Sequence, residues 1–181
     1  MSSRAPEESR DTPRATGDGS SAPAAFWRRL TSAGPSTVAL LSLGTVAALL
    51  MIAAELTPLF EVQVVTASCE DLAQPDLADL CVTRGGEQHA YGLLLLALVT
   101  LLMSLGAGLG RSRPAAAALV AVGVVVLGIT LALDLPDSRS TGEIGRDFAE
   151  ARAVIRPGLW LELAGGVLAV AAGALGLRRR G

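Results

Sequence analysis

The chain has 181 residues, 51% of them apolar and only 18% charged, with a net charge of −2. That is too apolar for an ordinary water-soluble domain of this length, and it leaves no basic surplus for a nucleic-acid surface. The composition therefore points to an integral membrane protein with the lipid bilayer as its first partner and no nucleic acid. All fifteen basic residues are Arg, and neither Lys nor Asn occurs, the bias of a GC-rich bacterial gene.

Residues 1–30 form a tail rich in Ser, Pro, Gly, Ala and mixed charge, with no apolar period, and are expected to be disordered. The tail ends in Phe26-Trp27-Arg28-Arg29-Leu30, an aromatic and basic anchor for a membrane interface. The membrane domain follows over 36–177. Apolar runs at 37–54, 91–110, 115–133 and 158–177 are 18 to 20 residues long. At about 1.5 Å per residue each matches a hydrocarbon core roughly 30 Å thick. Pro35, Pro114 and Pro157 open spans while Pro58 and Pro136 follow them, and none falls inside one. The fold class expected is all-α, a four-transmembrane-helix bundle with every backbone amide satisfied within its helix.

Span one is too long for the apolar core of a signal peptide, and its leader of about 35 residues carries acids, so the span is expected to be retained. Arg28 and Arg29, Arg111 and Arg113 of the inner turn 111–114, and Arg178, Arg179 and Arg180 of the C-terminus 178–181 all fall on one side of the membrane. The loop 55–90 carries, beyond Glu55 at its start, a single Arg84 against Glu61, Glu70, Asp71, Asp76, Asp79 and Glu87; the loop 134–157 is more mixed. The positive-inside rule then gives a multi-pass cell-membrane protein with both termini cytoplasmic.

Within the outer loop 55–90, Phe60–Thr66 begins with an apolar–polar alternation and is rich in β-branched residues, which predicts a short strand; Asp76–Leu80 suggests a helical turn. Cys69 and Cys81 both fall in this exported loop, so a disulfide is expected, worth about 3 kcal/mol over eleven intervening residues. No Cys-x-x-Cys is present for redox catalysis. Cys69, Cys81 and His89 match no zinc spacing, and the loop acids lack the pattern of a Ca²⁺ loop. No catalytic residue, metal or cofactor is therefore expected. In the outer loop 134–157, Ser140-Thr-Gly-Glu143 reads as a capping box, and Ile144, Phe148, Ala151 and Ile155 then form an apolar stripe, predicting an amphipathic helix.

Small residues at four-residue spacing, Gly106 and Gly110 in span two and Gly165, Ala169 and Gly173 in span four, predict close helix contacts. Those contacts place spans two and four at the centre of the bundle or in a self-association surface. Glu162 lies about 6 Å inside the outer end of span four and on the same helical face as Gly166, Ala169 and Gly173. Glu55, His89, Tyr91, Asp134 and Arg156 belong to the same outer layer. Such a polar cluster has the chemistry to bind a cation or relay a proton. A simpler expectation is that Glu162 pairs with Arg156, His89 or Tyr91 and locks the bundle.

Four helices with a β-bearing first outer loop resemble, in outline, the claudin-like tetraspan architecture. The Trp and Gly-Leu-Trp signature ahead of the cysteines is missing, and the only Gly-Leu-Trp is Gly158–Trp160 in span four, so nothing is carried over from that family. With no phosphate loop, nucleophile constellation or metal motif, the expectation is a non-enzymatic bacterial membrane protein that acts through other membrane or envelope proteins. The alternative is a small transporter or channel subunit built on the cluster around Glu162.

Overall fold

The computed structural model describes residues 34–64, 67–68, 81–142 and 150–179. The N-terminal tail and its anchor, Cys69, the turn expected over 76–80, Glu143 with the start of its expected helix, and Arg180 lie outside the described residues. In chain order the elements are α1 (Pro35–Leu56), β1 (Pro58–Val64), β2 (Ala67–Ser68), β3 (Val82–Arg84), α2 (Gly85–His89), α3 (Gly92–Gly108) and α4 (Arg113–Ile129). Helix α4 runs on through a π-helical turn, Thr130–Asp134, into α5 (Leu135–Asp137); β4 (Ala151–Ile155) and α6 (Pro157–Arg178) follow.

Three helical stretches, α1, Arg113–Asp137 and α6, are long and apolar enough to cross a membrane. The fourth expected span is the shorter α3, at 17 residues. Its start is set by Ala90 and Tyr91, which take left-handed backbone conformations at φ 48° and 63° and so interrupt the helix coming from α2. Pro136 does not end span three as the sequence suggests. Its ring would clash with the Ala132 carbonyl in a regular α-helix. The π-helical turn, closed by the Leu135 N–H on the Thr130 carbonyl, instead carries the helix through to Asp137.

Each helix buries a seam with alternating steps of three and four residues: Leu40, Gly44, Ala47, Met51 and Ala54 in α1; Leu93, Ala97, Thr100, Ser104 and Ala107 in α3. Ala116, Leu119, Gly123 and Val126 make the seam of α4, and Glu162, Gly165, Ala169 and Ala172 that of α6. This is the spacing of antiparallel bundles with knobs-into-holes packing. Consecutive helices pack side by side, and α6 closes the ring by packing broadly on both α1 and α4. Helices α3 and α6 touch little, so span two is not central with span four.

Small seam residues set the helix distances. A Cβ at Gly44 would collide with the Ser104 hydroxyl, and one at Gly123 would fall 2.7 Å from the Gly166 carbonyl. Gly165, Ala169 and Gly173 are likewise used within the bundle. The outer surface is the reverse of a soluble protein's: Leu49, Leu95, Leu98, Leu102, Val124 and Val167 are more than half exposed. Large apolar side chains outside and small ones inside is the distribution that lipid favours.

One end of the bundle carries a four-stranded antiparallel sheet. Strand β1 pairs with β2 through Gln63 and Val64, with β3 through Pro58, Phe60 and Glu61, and with β4 along Phe60–Val64. The strand read from the sequence is therefore present. The amphipathic helix predicted to run to Ile155 does not reach that far: Ala151–Ile155 forms β4, held by five residue pairs with β1. At the opposite end the Arg179 Nη1 donates to the Thr37 hydroxyl at 3.3 Å, and Arg111 of the α3–α4 turn lines the same recess.

Candidate functional site

The seams of three helices run into carboxylates at the sheet-bearing end. Glu55 follows Met51 by four residues on α1, Asp134 follows Thr130 by four in the π-helical turn, and Glu162 precedes Gly165 by three on α6. All three are buried, at 2%, 0% and 0% exposure. The fourth member, His89, comes from α2, a five-residue helix outside the bundle. Gly85 sets its position: a Cβ there would lie 2.7 Å from the Ala54 carbonyl and 2.8 Å from the Glu55 Cα, so only glycine lets α2 lie this close to the end of α1. Gln88, beside the histidine, donates to the Asp137 carboxylate at 3.1 Å and ties α2 to the end of span three.

His89 stands between the carboxylates. Its Nε2 lies 3.1 Å from Asp134 Oδ1, within hydrogen-bond distance, and its Nδ1 lies 3.5 Å from Glu55 Oε2, an ion-pair contact without hydrogen-bond geometry. His89 Nε2, Asp134 and Glu162 offer ligand atoms that all fall within 4.8 Å of one another. Both oxygens of Glu55, both of Glu162, Asp134 Oδ2 and His89 Nδ1 are buried with no hydrogen-bond partner. Buried polar groups are paired in nearly all native structures, and an unpaired buried charge costs several kcal/mol. Three carboxyl groups meet one imidazole where little water reaches, so the arrangement has oxygens to spare for a proton or a cation.

Burial disfavours the charged form of His89, but the Asp134 hydrogen bond and the charges of Asp134, Glu162 and Glu55 outweigh it and raise its pKa above the ordinary 6.5.

The sequence places six residues in this layer, and the structure brings four together. Tyr91 is 62% exposed and lays its ring against Gly86, outside the cluster. Arg156 extends the β1–β4 ladder through its N–H on the Leu59 carbonyl, and its guanidinium pairs with Glu61 rather than Glu162. Glu61, a loop acid by sequence, is thus a buried, compensated partner that also accepts from Gln63 at 2.8 Å. The locking pair expected between Glu162 and Arg156 or Tyr91 is not formed. Cys81 is buried immediately before β3 and is not part of the group of metal-binding side chains found among the described residues.

No protein-family model, curated protein or solved structure matches this chain.

Proposed function

We propose that this chain is a non-enzymatic four-span membrane protein, both termini cytoplasmic, that binds a cation, proton or metal, in the cluster of Glu55, His89, Asp134 and Glu162 at its outer end. The observation that carries the reading is the set of unpartnered carboxylate oxygens converging on one histidine at zero or near-zero exposure. Buried ionisable residues in membrane helices are retained where they serve a function, since insertion disfavours them by about 2.5–3.5 kcal/mol each at mid-bilayer.

Orientation rests on charge. Arg111, Arg113, Arg178 and Arg179 belong to the end opposite the sheet with no acid beside them among the described residues, and Arg28, Arg29 and Arg180 of the sequence add to that side; at the sheet end Arg84, Arg139, Arg152 and Arg156 are interspersed with Glu55, Glu61, Glu87, Asp134, Asp137 and Glu150. Helix α3, at 17 residues, spans as the shortest member, within the usual lower limit of about 17. A Cys69–Cys81 disulfide belongs to the same reading, because the outer side is oxidising and Cys81 is the residue just before β3.

Binding is favoured over passage. The hydroxyls along the bundle, Thr100, Ser104 and Thr130, each donate to the carbonyl four residues earlier at 2.7–2.9 Å, which leaves them committed rather than lining a polar path. Contacts with other membrane or envelope proteins, the other expectation from sequence, call on no residue of this site.

The test is thermal unfolding in detergent against a panel of H⁺, Na⁺, Ca²⁺, Mn²⁺ and Zn²⁺, for the natural chain and Glu162→Gln. At least one cation is expected to stabilise the natural chain by about 3 kcal/mol at 100 times its dissociation constant, and to lose most of that effect in the variant. Identical responses of the two proteins to every cation would contradict the reading.

A further inference from the structure

Resting on the cation-binding reading, we propose that the cluster is a divalent transition-metal site, with His89 Nε2, Asp134 and Glu162 as ligands and Glu55 as the carboxylate that orients the imidazole from behind. The donor set decides the class of ion. One imidazole nitrogen with two carboxylates suits zinc, manganese or iron. Calcium calls for six to eight oxygens, and magnesium for a largely oxygen and water shell, so neither fits a set containing a histidine.

The spacing agrees. With metal–nitrogen and metal–oxygen bonds of about 2.0–2.2 Å, two ligands on one tetrahedral ion stand roughly 3.4 Å apart. His89 Nε2 and Asp134 Oδ1 are 3.1 Å apart, and a Glu162 oxygen completes the group within 4.8 Å, one side-chain adjustment away. Glu162 is fully buried and neither of its oxygens has a hydrogen-bond partner, which leaves both open to an ion. The two ligand carboxylates together carry the two negative charges that a divalent ion neutralises.

The far side of the imidazole supplies a second, independent match. A metal on Nε2 leaves the proton on Nδ1, and metal-bound histidines nearly always donate that N–H to a carboxylate or carbonyl. Nδ1 of His89 is buried and unpartnered, with Glu55 Oε2 waiting at 3.5 Å. Closing that contact by a few tenths of an ångström turns an unsatisfied pair into the carboxylate–histidine–metal relay that such sites use. The same geometry explains why α2 is held so tightly against α1 by Gly85, since the relay needs His89 between two helices rather than on one.

The experiment is metal analysis of the full, untagged chain in detergent after equilibrium dialysis against Zn²⁺, followed by Co²⁺ replacement. One zinc per chain is expected, lost in Glu162→Gln and in Asp134→Asn, while Glu55→Gln keeps one zinc with affinity lowered 10- to 100-fold. Should the ligand variants fail to fold, the Co²⁺ spectrum of the natural chain decides, because it reads a nitrogen and oxygen ligand set without any substitution. Absence of bound zinc, retention of zinc by both ligand variants, or a Co²⁺–thiolate band would each overturn the metal assignment. If zinc fails while H⁺ or Na⁺ stabilises the natural chain and not Glu162→Gln, the metal is wrong and the cation site stands; if no cation separates the two proteins, both readings fall.

Discussion

At the level of single residues, the cluster is a set of three acids whose positions are legible and a histidine whose position is only half so. Glu55, Asp134 and Glu162 extend the buried seams by steps of three and four, a pattern visible in the sequence once the seam is traced. His89 reaches them through a short helix and two left-handed residues, Ala90 and Tyr91, which no periodicity announces. Depth alone assigns Tyr91 and Arg156 to the same layer. Depth does not fix azimuth, and the strand that carries Arg156 to Glu61 is a long-range pairing. His89 also makes stability depend on pH in the metal-free protein. Its folded pKa is raised, so its contribution is fully present below its unfolded value near 6.5 and is lost as pH rises through the higher folded value. With chelator present, the natural chain is expected to lose thermal stability from about pH 6.5 upward more steeply than His89→Gln, as read by melting at a series of pH values. Parallel curves would show that the imidazolium stabilises nothing.

Among elements, the decisive contacts are those between small residues on facing helices. A Cβ at Gly123 would meet the Gly166 carbonyl and the Val170 amide at 2.7 Å, both backbone atoms that cannot turn aside. Gly123→Val therefore forces α4 from α6 and is expected to destabilise by about 1–3 kcal/mol or more in detergent unfolding, the range for overpacked interiors. Leu98→Ala, at a residue 53% exposed on the outside of the bundle, should cost much less. The elements themselves were readable to different degrees. Strand β1 announces itself by alternation, and its neighbours confirm it. Ala151–Ile155 is misread as helix because a capping box and an apolar stripe at helical spacing favour that assignment locally, whereas five pairs with a strand some ninety residues earlier decide the outcome. Pro136 is misread as a stop because a π-helical turn, which absorbs the clash of the proline ring, leaves no signature in composition.

For the whole molecule, the asymmetry between its two ends organises the account: arginines without acids beside them, among the described residues, at one, and a sheet with mixed charge over buried acids at the other. That asymmetry sets the proposed orientation and, with it, an oxidising environment for the cysteines. A membrane-impermeant thiol reagent on intact cells should label Cys69 and Cys81 only after reduction; labelling that requires permeabilised membranes would reverse the orientation and remove the case for the disulfide. Orientation and ion binding are separable, so the site has its own direct test. A crystal of the full chain grown with zinc and measured at the zinc absorption edge should show one strong anomalous peak between His89 Nε2, Asp134 and Glu162, with Glu55 drawn onto His89 Nδ1. A peak confined to the surface acids, or none beside the histidine, would contradict the claim that these four buried groups form an ion-binding unit.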